Sequence, residues 1–341
     1  MGNGFGVGTA FARYAILGAP DHHDYQKVHD LSSEIEGLRP WLGITSIHEE
    51  HNFSAGSRSA HIRLEKPESI IIPGETPISL VPGWIINRDD SRHVISLENR
   101  LTAQTAHDQP SPWADHLVRH RKIRDLLNIS LWRNHELKVS AVRNRDYSED
   151  YGPGESRAAW KQVCSGSPVH TEEGSTGRHL IRYSDIGPEG LSRWMDLSEK
   201  FERAINPALA MHRLKSSDAE VQIAQIGICL EALGYLIYMR DDGLTERGAD
   251  KKYKLRFERI GKDIESVAPF DIDDWVEGTV EAYNGVKHAN KVLPDLLEMA
   301  NRTRESCLAF RIWIALRLGV DADELKKRVD SDSQAIPYEL A

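Results

Sequence analysis

Cysteine is scarce in this chain, which has only three in 341 residues. Cys164, Cys229 and Cys307 are far apart and do not have the spacing of metal ligands. A low, odd number of cysteines is typical of a reducing compartment, where disulfides rarely form. Cys229 and Cys307 lie in apolar helical runs, so we expect both to pack in a core.

A long, uncharged apolar run is also missing. No stretch of about 18 apolar residues is present, so no transmembrane helix is predicted. The N-terminus lacks a positively charged segment followed by an apolar one, so we expect no signal peptide. These absences predict a cytoplasmic protein without a membrane partner. The formal net charge of −9 speaks against nonspecific coating of nucleic acid but is compatible with a local basic cleft.

Two well-known site patterns are incomplete. The start of the chain, Met1 to Gly8, is rich in glycine but does not form G-x-G-x-x-G, and no strand precedes it. The run His48-Glu-Glu-His51 lacks the second histidine of a zincin helix, because the required position holds Asn52. We interpret this run as a polar turn, with a two-histidine metal site as the alternative. We therefore predict neither a metal nor a cofactor.

The chain divides into a β-rich region and a helical region. A length of 341 residues favours about two domains. Residues 1–188 contain alternating apolar residues and short apolar runs between prolines, which indicate strands, and one helix from Ser111 to about Leu127. Residues 189–330 are almost wholly helical, and residues 331–341 are predicted to be a disordered tail. The fold class is therefore α+β, with a mixed, β-rich N-terminal domain followed by an all-α helical bundle.

Several segments have weaker signals. Apolar residues at helical spacing predict an amphipathic segment from Asp24 to Trp41. The stretch from Asp146 to Gly177 is rich in Gly, Ser and acidic residues, which predicts a loop. His179 to Tyr183 predicts a last strand. Pro207 predicts a kink in a helix from Leu191 to Leu214.

Cap signals delimit the later helices. A capping box from Ser217 to Glu220 starts a helix from Val221 to Met239, which is apolar on almost every side and therefore central. Asp271 caps a helix predicted from Asp274 to about Lys291. Gly319 ends the long helix that follows.

One stretch near the C-terminal end combines groups suited to phosphate binding or proton transfer. In the run from Glu281 to Lys291, Asn284 and His288 are four residues apart, which places them on one face of a helix. An amide and an imidazole one turn apart can bind a phosphate or move a proton. The same residues also fit a plain polar helix face, so the residues alone leave both interpretations open.

The helical region resembles the HEPN superfamily. The signature of that superfamily is Arg-Asn-x-x-x-His or, more loosely, an arginine followed by four to six residues and a histidine. The matching stretch here is Tyr283-Asn-Gly-Val-Lys-His288. A glutamate inside the central helix, in Leu230-Glu231-Ala-Leu233, and the ending from Trp313 to Gly319 are also similar to these domains.

The N-terminal region is similar to the domain that precedes ApeA-type HEPN modules in bacterial anti-phage proteins. The similarity lies in Ala10 to Gly18, in Leu38-Arg-Pro-Trp41-Leu-Gly43 and in Arg121-Lys-Ile-Arg-Asp-Leu-Leu127. Because that family has a longer N-terminus, the glycine-rich start predicts a shortened chain. The resemblance implies that the β-rich domain is a sensor or regulator that responds to a phage-derived trigger.

The resemblance also implies an RNA-directed site built by two copies. Members dimerise through the HEPN domain, and their paired motifs cleave RNA without a metal. By this resemblance His288 is the general acid or base and Asn284 orients the reacting groups. Tyr283 stands where the phosphate-binding arginine is expected. Lys287 and Lys291 are the cations that can substitute for it, as point charges.

Three functions follow from these patterns. The first is a HEPN ribonuclease acting in anti-phage, abortive-infection defence. The second is a nuclease-dead HEPN module that binds RNA or a protein partner, because Tyr283 replaces the motif arginine. The third is an unrelated helical bundle with Asn284 and His288 as ordinary surface residues. Two basic runs, Arg119 to Arg124 and Lys251 to Arg256, fit either solvated helix faces or phosphate-contacting patches.

Overall fold

The computed structural model describes residues 14–20, 22–54, 57–150, 152, 154–165, 178–213 and 218–339. The glycine-rich start and Ser217 of the predicted capping box lie outside these ranges. The chain forms two compact units. The β-rich unit comprises residues 1–39, 44–121 and 136–172, and the helical unit comprises residues 40–43, 122–135 and 173–341.

The β-rich unit is built from antiparallel strands, as the alternating pattern predicts. The strands are β1 (Tyr14–Ile16), β2 (Lys27–Ile35), β3 (Ile47–Ser54), β4 (Ser57–Leu64), β5 (Ile70–Ile72), β6 (Ile78–Asp89), β7 (Val94–Pro112), β8 (Leu137–Arg143), β9 (Ser148–Asp150), β10 (Ser156–Ala158) and β11 (Lys161–Ser165). Within the described residues, seven strands form one sheet in the order β1-β11-β8-β2-β7-β6-β5, and β3–β4 and β9–β10 form two-stranded ribbons. The predicted loop after Asp146 is therefore partly strand, because pairing orders short polar segments that lack apolar alternation.

Strand β2 overturns the prediction of an amphipathic helical segment from Asp24 to Trp41. It pairs with β7 on one side and β8 on the other and is buried along almost its whole length. Register shifts occur between Val28 and Asp30 and between Ser32 and Ser33. These shifts place the extra residues on β7 and β8. Strand β2 itself is buried on both faces, so its apolar residues need not alternate, and their spacing imitates a helix. The short helix α1 (Leu38–Leu42) begins after β2 has ended.

Buried histidines join β2 and β7 to the first half of helix α2 (Trp113–Leu131). His116 Nε2 lies 3.0 Å from the carbonyl oxygen of Val28, which can only accept, so His116 Nε2 bears the proton. The Thr105 hydroxyl then donates to His116 Nδ1 over 2.9 Å and accepts from His120 Nε2 over 3.0 Å. Ser33 Oγ donates to His120 Nδ1 over 2.6 Å. Both imidazoles are neutral in this series of hydrogen bonds, and burial lowers the pKa of His120 to about 3.

The two histidines of the His48-Glu-Glu-His51 run lie on strand β3 rather than in a turn. Residues three apart on a strand point to opposite faces of the ribbon. His51 Nε2 lies 3.5 Å from the carboxylate of Glu49. The strand therefore separates the two imidazoles and does not support the alternative of a shared metal.

The remaining helices belong to the helical unit. They are α3 (Tyr183–Lys200), α4 (Glu202–Arg213), α5 (Ala219–Arg240), α6 (Glu246–Ala249), α7 (Tyr253–Ile264), α8 (Ile272–Lys287), α9 (Leu296–Leu318) and α10 (Ala322–Val329). The predicted caps are confirmed: Asp271 Oδ1 accepts from the backbone N–H of Asp274 over 2.8 Å, and Gly319 ends α9 with a φ of 90°. Together with the β-rich sheet, these helices confirm the α+β fold class.

Helix α5 is central, as its all-round apolar pattern predicts. It packs against α4, α7, α8 and α9, and Cys229 and Cys307 are buried in this core. Among the described residues, α5 also has the length and composition of a membrane-crossing helix, with a mean hydropathy of 1.4 over its apolar window. That window is 44% buried inside the molecule.

The start of the helical unit differs from the predicted strand at His179 to Tyr183. Helix α3 begins at Tyr183, and the residues before it are irregular. The carbonyl of Ile181 accepts hydrogen bonds from Trp41 Nε1 at 2.8 Å and from Ser130 Oγ at 2.7 Å. Side chains, not a neighbouring strand, therefore satisfy this backbone.

Two breaks interrupt the helical pattern near the start of this unit. The predicted domain boundary at residues 188 and 189 coincides with the first turns of α3, where Gly187 adopts a φ of 56° and Pro188 follows it. These residues form a kink within the helix. Helices α3 and α4 separate at Phe201, and Pro207 lies within α4.

The segment after Asp330, predicted to be a disordered tail, packs against α9. Arg311, which is 1% exposed, pairs with Asp332 over 2.9 Å. The same guanidinium donates to two backbone carbonyls near the end of α2, each over 2.9 Å. A short 3-10 helix follows at Ser333–Ala335. A buried cation that needs acceptors thus holds this segment in place.

Candidate functional site

Helix α8 carries most of the predicted site residues, and its inner face fixes its position. Trp275, Thr279 and Ala282 are fully buried, and Trp275 Nε1 donates to Ser306 Oγ on α9 over 3.2 Å. The Asp271 cap begins the helix. Apolar burial and one interhelical hydrogen bond therefore orient the opposite, polar side of α8.

Helix α8 ends at Lys287, earlier than the predicted Lys291. His288 is the C-cap residue and has an extended backbone, with φ −129° and ψ 107°. The chain then reverses and passes over Gly285, where a Cβ would lie 2.6 Å from the carbonyl oxygen of Val292. This close approach occupies the path of another helical turn. Asn284 and His288 are consequently not two positions on one helix face, although the backbone N–H of His288 donates to the carbonyl of Asn284 over 2.9 Å.

Tyr283, at the position expected for the motif arginine, faces the interior and is 4% exposed. Its hydroxyl donates to Glu231 Oε2 on α5 over 3.0 Å. The ring lies against Gly227, where a Cβ would come within 2.3 Å of Tyr283 Cδ2. Burial, followed by the charge of Glu231, raises the pKa of the Tyr283 phenol. Tyr283 was predicted, with Lys287 and Lys291, as an RNA- or phosphate-binding residue, and its hydroxyl makes an internal hydrogen bond in this structure.

Glu231 is the shared acceptor of this region. Arg256 Nη1 lies 3.2 Å from Glu231 Oε1, and Lys287 Nζ lies 3.6 Å from Glu231 Oε2. The Lys287 ammonium also lies 5.1 Å from the ring centroid of Tyr283 and 5.7 Å from that of Tyr253. One carboxylate thus gathers a phenol, a guanidinium and an ammonium. We call Glu231, Tyr253, Arg256, Tyr283, Asn284 and Lys287 the Glu231 cluster.

Asn284 belongs to this cluster through its amide oxygen. The Tyr253 hydroxyl donates to Asn284 Oδ1. Tyr253 and Tyr283 meet edge to face, with ring centroids 5.9 Å apart. The phenol of Tyr253 has a pKa raised by burial and then by Glu231. Asn284 is held by its oxygen, which leaves the amide N–H groups as the donors that can meet a ligand.

His288 and Lys291 lie outside the cluster and are exposed. Among the residues that the structure describes, neither side chain has a hydrogen-bond or ion-pair partner. The structure therefore brings Tyr283, Asn284 and Lys287 together around Glu231 and leaves His288 next to them at the helix end. Lys291 lies in the turn that follows, where its backbone N–H donates to the carbonyl of His288 over 2.9 Å.

Arg256 is the residue whose placement the sequence does not indicate. It was predicted only as part of a basic run, yet its side chain is 10% exposed and its Nη2 pairs with Asp250 over 2.8 Å. At Gly234 a Cβ would lie 2.5 Å from Arg256 Cβ, so α7 packs closely on α5. Gly234, three residues after Glu231, is the one feature of the local sequence that indicates this close approach.

Comparison with protein families adds one match to this geometry. The family model described as ApeA N-terminal domain 1 matches residues 1–194, more than half of the 341-residue chain. The chain belongs to this family. No curated protein and no solved structure matches the chain. ApeA membership fits an anti-phage defence protein, while the helices beyond residue 194 lie outside the family match.

Proposed function

We propose that this ApeA-family protein is an anti-phage, abortive-infection ribonuclease whose helical unit is a HEPN-type module. The site lies at the C-terminal end of α8, with His288 as general acid or base and Asn284 as the orienting group. The observation that supports this proposal best is the exposed imidazole of His288 directly after the helix, flanked by Lys287 and the Glu231 cluster.

The chemistry of RNA cleavage suits these groups. The 2′-hydroxyl of RNA attacks the adjacent phosphorus, a base takes its proton, and the bond to the 5′-oxygen breaks as an acid protonates that oxygen. An imidazole can serve in either step. The amide N–H groups of Asn284 and the ammonium groups of Lys287 and Lys291 are donors for the charged phosphate oxygens. None of these steps is routed through a metal.

Two copies of the chain complete this mechanism. One exposed imidazole cannot be base and acid on both sides of the same phosphorus at once. A homodimer that joins two α8 ends supplies two His288 side chains, one for each proton transfer. The β-rich unit is then the sensor that responds to a phage-derived trigger.

A second candidate function is an RNA- or protein-binding module without nuclease activity. It is favoured by Tyr283, which is buried on Glu231, so that α8 offers no guanidinium to a phosphate. Loss of one transition-state charge contact costs about 10²–10³ in rate. Binding without cleavage, unchanged by His288→Ala, is the outcome that distinguishes this candidate.

The deciding experiment compares the wild type with His288→Ala in a bacterial host. Growth and RNA integrity are followed after induction, with and without phage, and the purified proteins are incubated with RNA. We expect the wild type to arrest growth and degrade RNA, and His288→Ala to lose both effects by about 10²–10⁴-fold in rate. Because His288 is exposed, the variant should unfold like the wild type. Undiminished cleavage by His288→Ala would rule out the proposed role of His288.

A further inference from the structure

A groove lies beside the Glu231 cluster, on the face of α5 between α4 and α7. Its volume is about 370 Å³. Its lining includes Arg203, Ile228, Glu231, Tyr235, Leu236 and Arg256. The groove therefore combines two guanidinium groups, an aromatic ring and an apolar floor, with a single carboxylate.

Arg256 has an unused donor in this groove. Its Nη1 and Nη2 bind Glu231 and Asp250, but Nε is buried and has no hydrogen-bond partner among the described residues. A buried donor without an acceptor is unfavourable. The side chain is nine-tenths buried, with 10% exposed, so a ligand in the groove meets the exposed edge of the guanidinium.

Tyr235 and the apolar residues provide a surface for a ring. The guanidinium of Arg256 lies 5.3 Å from the ring centroid of Tyr235. Ile228 is 44% exposed at the floor of the groove. Arg203, on α4, is exposed. A planar group in the groove would thus lie near two guanidinium groups.

The groove adjoins the end of α8 through Glu231. That carboxylate lines the groove and also contacts Tyr283 and Lys287. Lys287 is followed by His288, the proposed acid or base. The two guanidinium groups, Lys287 and His288 therefore form a path from the groove to the helix end.

We propose that this groove is a subsite for one nucleotide of a single-stranded RNA. The base lies against Tyr235 and Ile228, and the phosphate lies between the guanidinium groups of Arg203 and Arg256. Proteins bind single-stranded nucleic acid through this combination of aromatic stacking and cationic contacts. The inference rests on the proposed function, because it names part of the substrate path to His288.

The test measures binding of a single-stranded 2′-O-methyl RNA oligonucleotide to the full chain by fluorescence anisotropy. This RNA lacks the attacking hydroxyl, so cleavage does not interfere. We expect Tyr235→Leu to weaken binding roughly tenfold and Tyr235→Phe to retain it, because only the leucine removes the stacking ring. Arg203→Ala should weaken binding several-fold and reduce the salt slope by about 0.7.

Matched controls separate the groove from general effects of charge and folding. Lys326→Ala removes an exposed cation on α10 that does not line the groove, and it should bind like the wild type. Arg203 is exposed, so its variant tests the groove without disturbing Glu231.

The outcomes distinguish this inference from the proposed function. Wild-type affinity in Arg203→Ala and Tyr235→Leu, in a protein that does bind RNA, overturns the groove alone. A wild-type protein that binds no single-stranded RNA overturns the RNA-directed function and the groove together. Weakened binding in both groove variants, with Lys326→Ala and Tyr235→Phe unaffected, supports the inference.

Discussion

The β-rich unit and the helical unit each contain a polar cluster, and the two clusters differ in whether their last members are exposed to solvent. In the β-rich unit, a series of hydrogen bonds runs through His116 and His120, and we call it the histidine chain. It begins at Ser33 and ends on the backbone carbonyl of Val28. The residues that contribute side chains to it are at most 2% exposed: Ser33, Thr105, His116 and His120. The Glu231 cluster instead ends at Lys287, whose side chain is 42% exposed, and at the exposed His288 beside it.

This difference separates a structural cluster from one that can bind a ligand. In the histidine chain the four links use each ring nitrogen once, so no ring nitrogen is left for a ligand. Such a network contributes to stability and fixes one arrangement of β2, β7 and α2. The Glu231 cluster has an exposed ammonium, and the imidazole next to it is free to meet a substrate. An imidazole therefore has a structural role where it is buried, as in His116 and His120, and is open to a ligand where it is exposed, as in His288.

The largest expected effect is loss of stability of the β-rich unit in acid. Below the ordinary histidine pKa of 6.5 the unfolded chain takes up protons, while His120 stays neutral until about pH 3. Stability is therefore complete above pH 6.5 and falls by roughly 1.4 kcal/mol for each pH unit below it, toward the folded pKa. Urea unfolding between pH 7 and pH 4, followed by amide hydrogen exchange of β2 and β7, measures this loss.

A matched control for acid unfolding is His61→Gln. His61 is exposed on β4, so its removal should leave the acid dependence unchanged. His120→Leu should lower stability at neutral pH and flatten the acid dependence. A wild-type protein whose free energy of unfolding does not change between pH 6.5 and pH 4 would contradict the view that His120 is buried and neutral in the folded state.

Gly227→Ala should have the next largest effect, in the helical unit. Its Cβ would lie 2.3 Å from Tyr283 Cδ2, so the ring must move and the hydrogen bond to Glu231 is strained. Overpacking of this kind costs about 1–3 kcal/mol. Urea unfolding measures the change. The control is Gly248→Ala, whose Cβ would lie 3.3 Å from a side-chain oxygen at the rim of a short helix, and its effect should be smaller.

A Gly227→Ala protein as stable as the wild type would show that Tyr283 is not held firmly. The buried part of the Glu231 cluster, around Tyr283, would then adjust as easily as the exposed part around Lys287. The distinction between an internal tyrosine and an external lysine would be lost.

Lys287→Ala should have the smallest effect on stability. The pair with Glu231 is long, at 3.6 Å, and the lysine is 42% exposed, so solvent screens it. Exposed pairs contribute about 0–1 kcal/mol, and we expect a loss below about 0.5 kcal/mol in urea unfolding. RNA affinity should fall several-fold in the same variant, because a phosphate contact is lost. A stability loss above about 2 kcal/mol would place Lys287 among the structural residues.

The features predicted correctly from the sequence are local ones. Asp271 and Gly319 act as caps because a carboxylate and a glycine suit those backbone positions whatever surrounds them. The central position of α5 follows from its all-round apolar composition. The strand signals around β6 and β7 are confirmed by a pairing between these two strands that has no register shift.

The features predicted wrongly depend on contacts between distant segments. The central position of β2 in the sheet, and with it the burial of both its faces, comes from pairing with β7 on one side and β8 on the other. Helix α8 stops at Lys287 because the returning backbone at Val292 packs on Gly285. Neither constraint is visible in the residues nearby. The meeting of Arg256, Glu231 and Tyr283 joins three helices, so no spacing within one helix indicates it.

The fit between Tyr283 and Gly227 also constrains how this site can change during evolution. An arginine at position 283 would bring a third cation to Glu231, which already contacts Arg256 and Lys287. A single substitution would therefore not recreate the Arg-Asn-x-x-x-His arrangement, because repulsion among the cations would oppose it. At least one of the other cations would have to be replaced first. A neutral tyrosine at this position therefore leaves Glu231 with two cationic partners, and further positive charge at this helix end has to come from another residue.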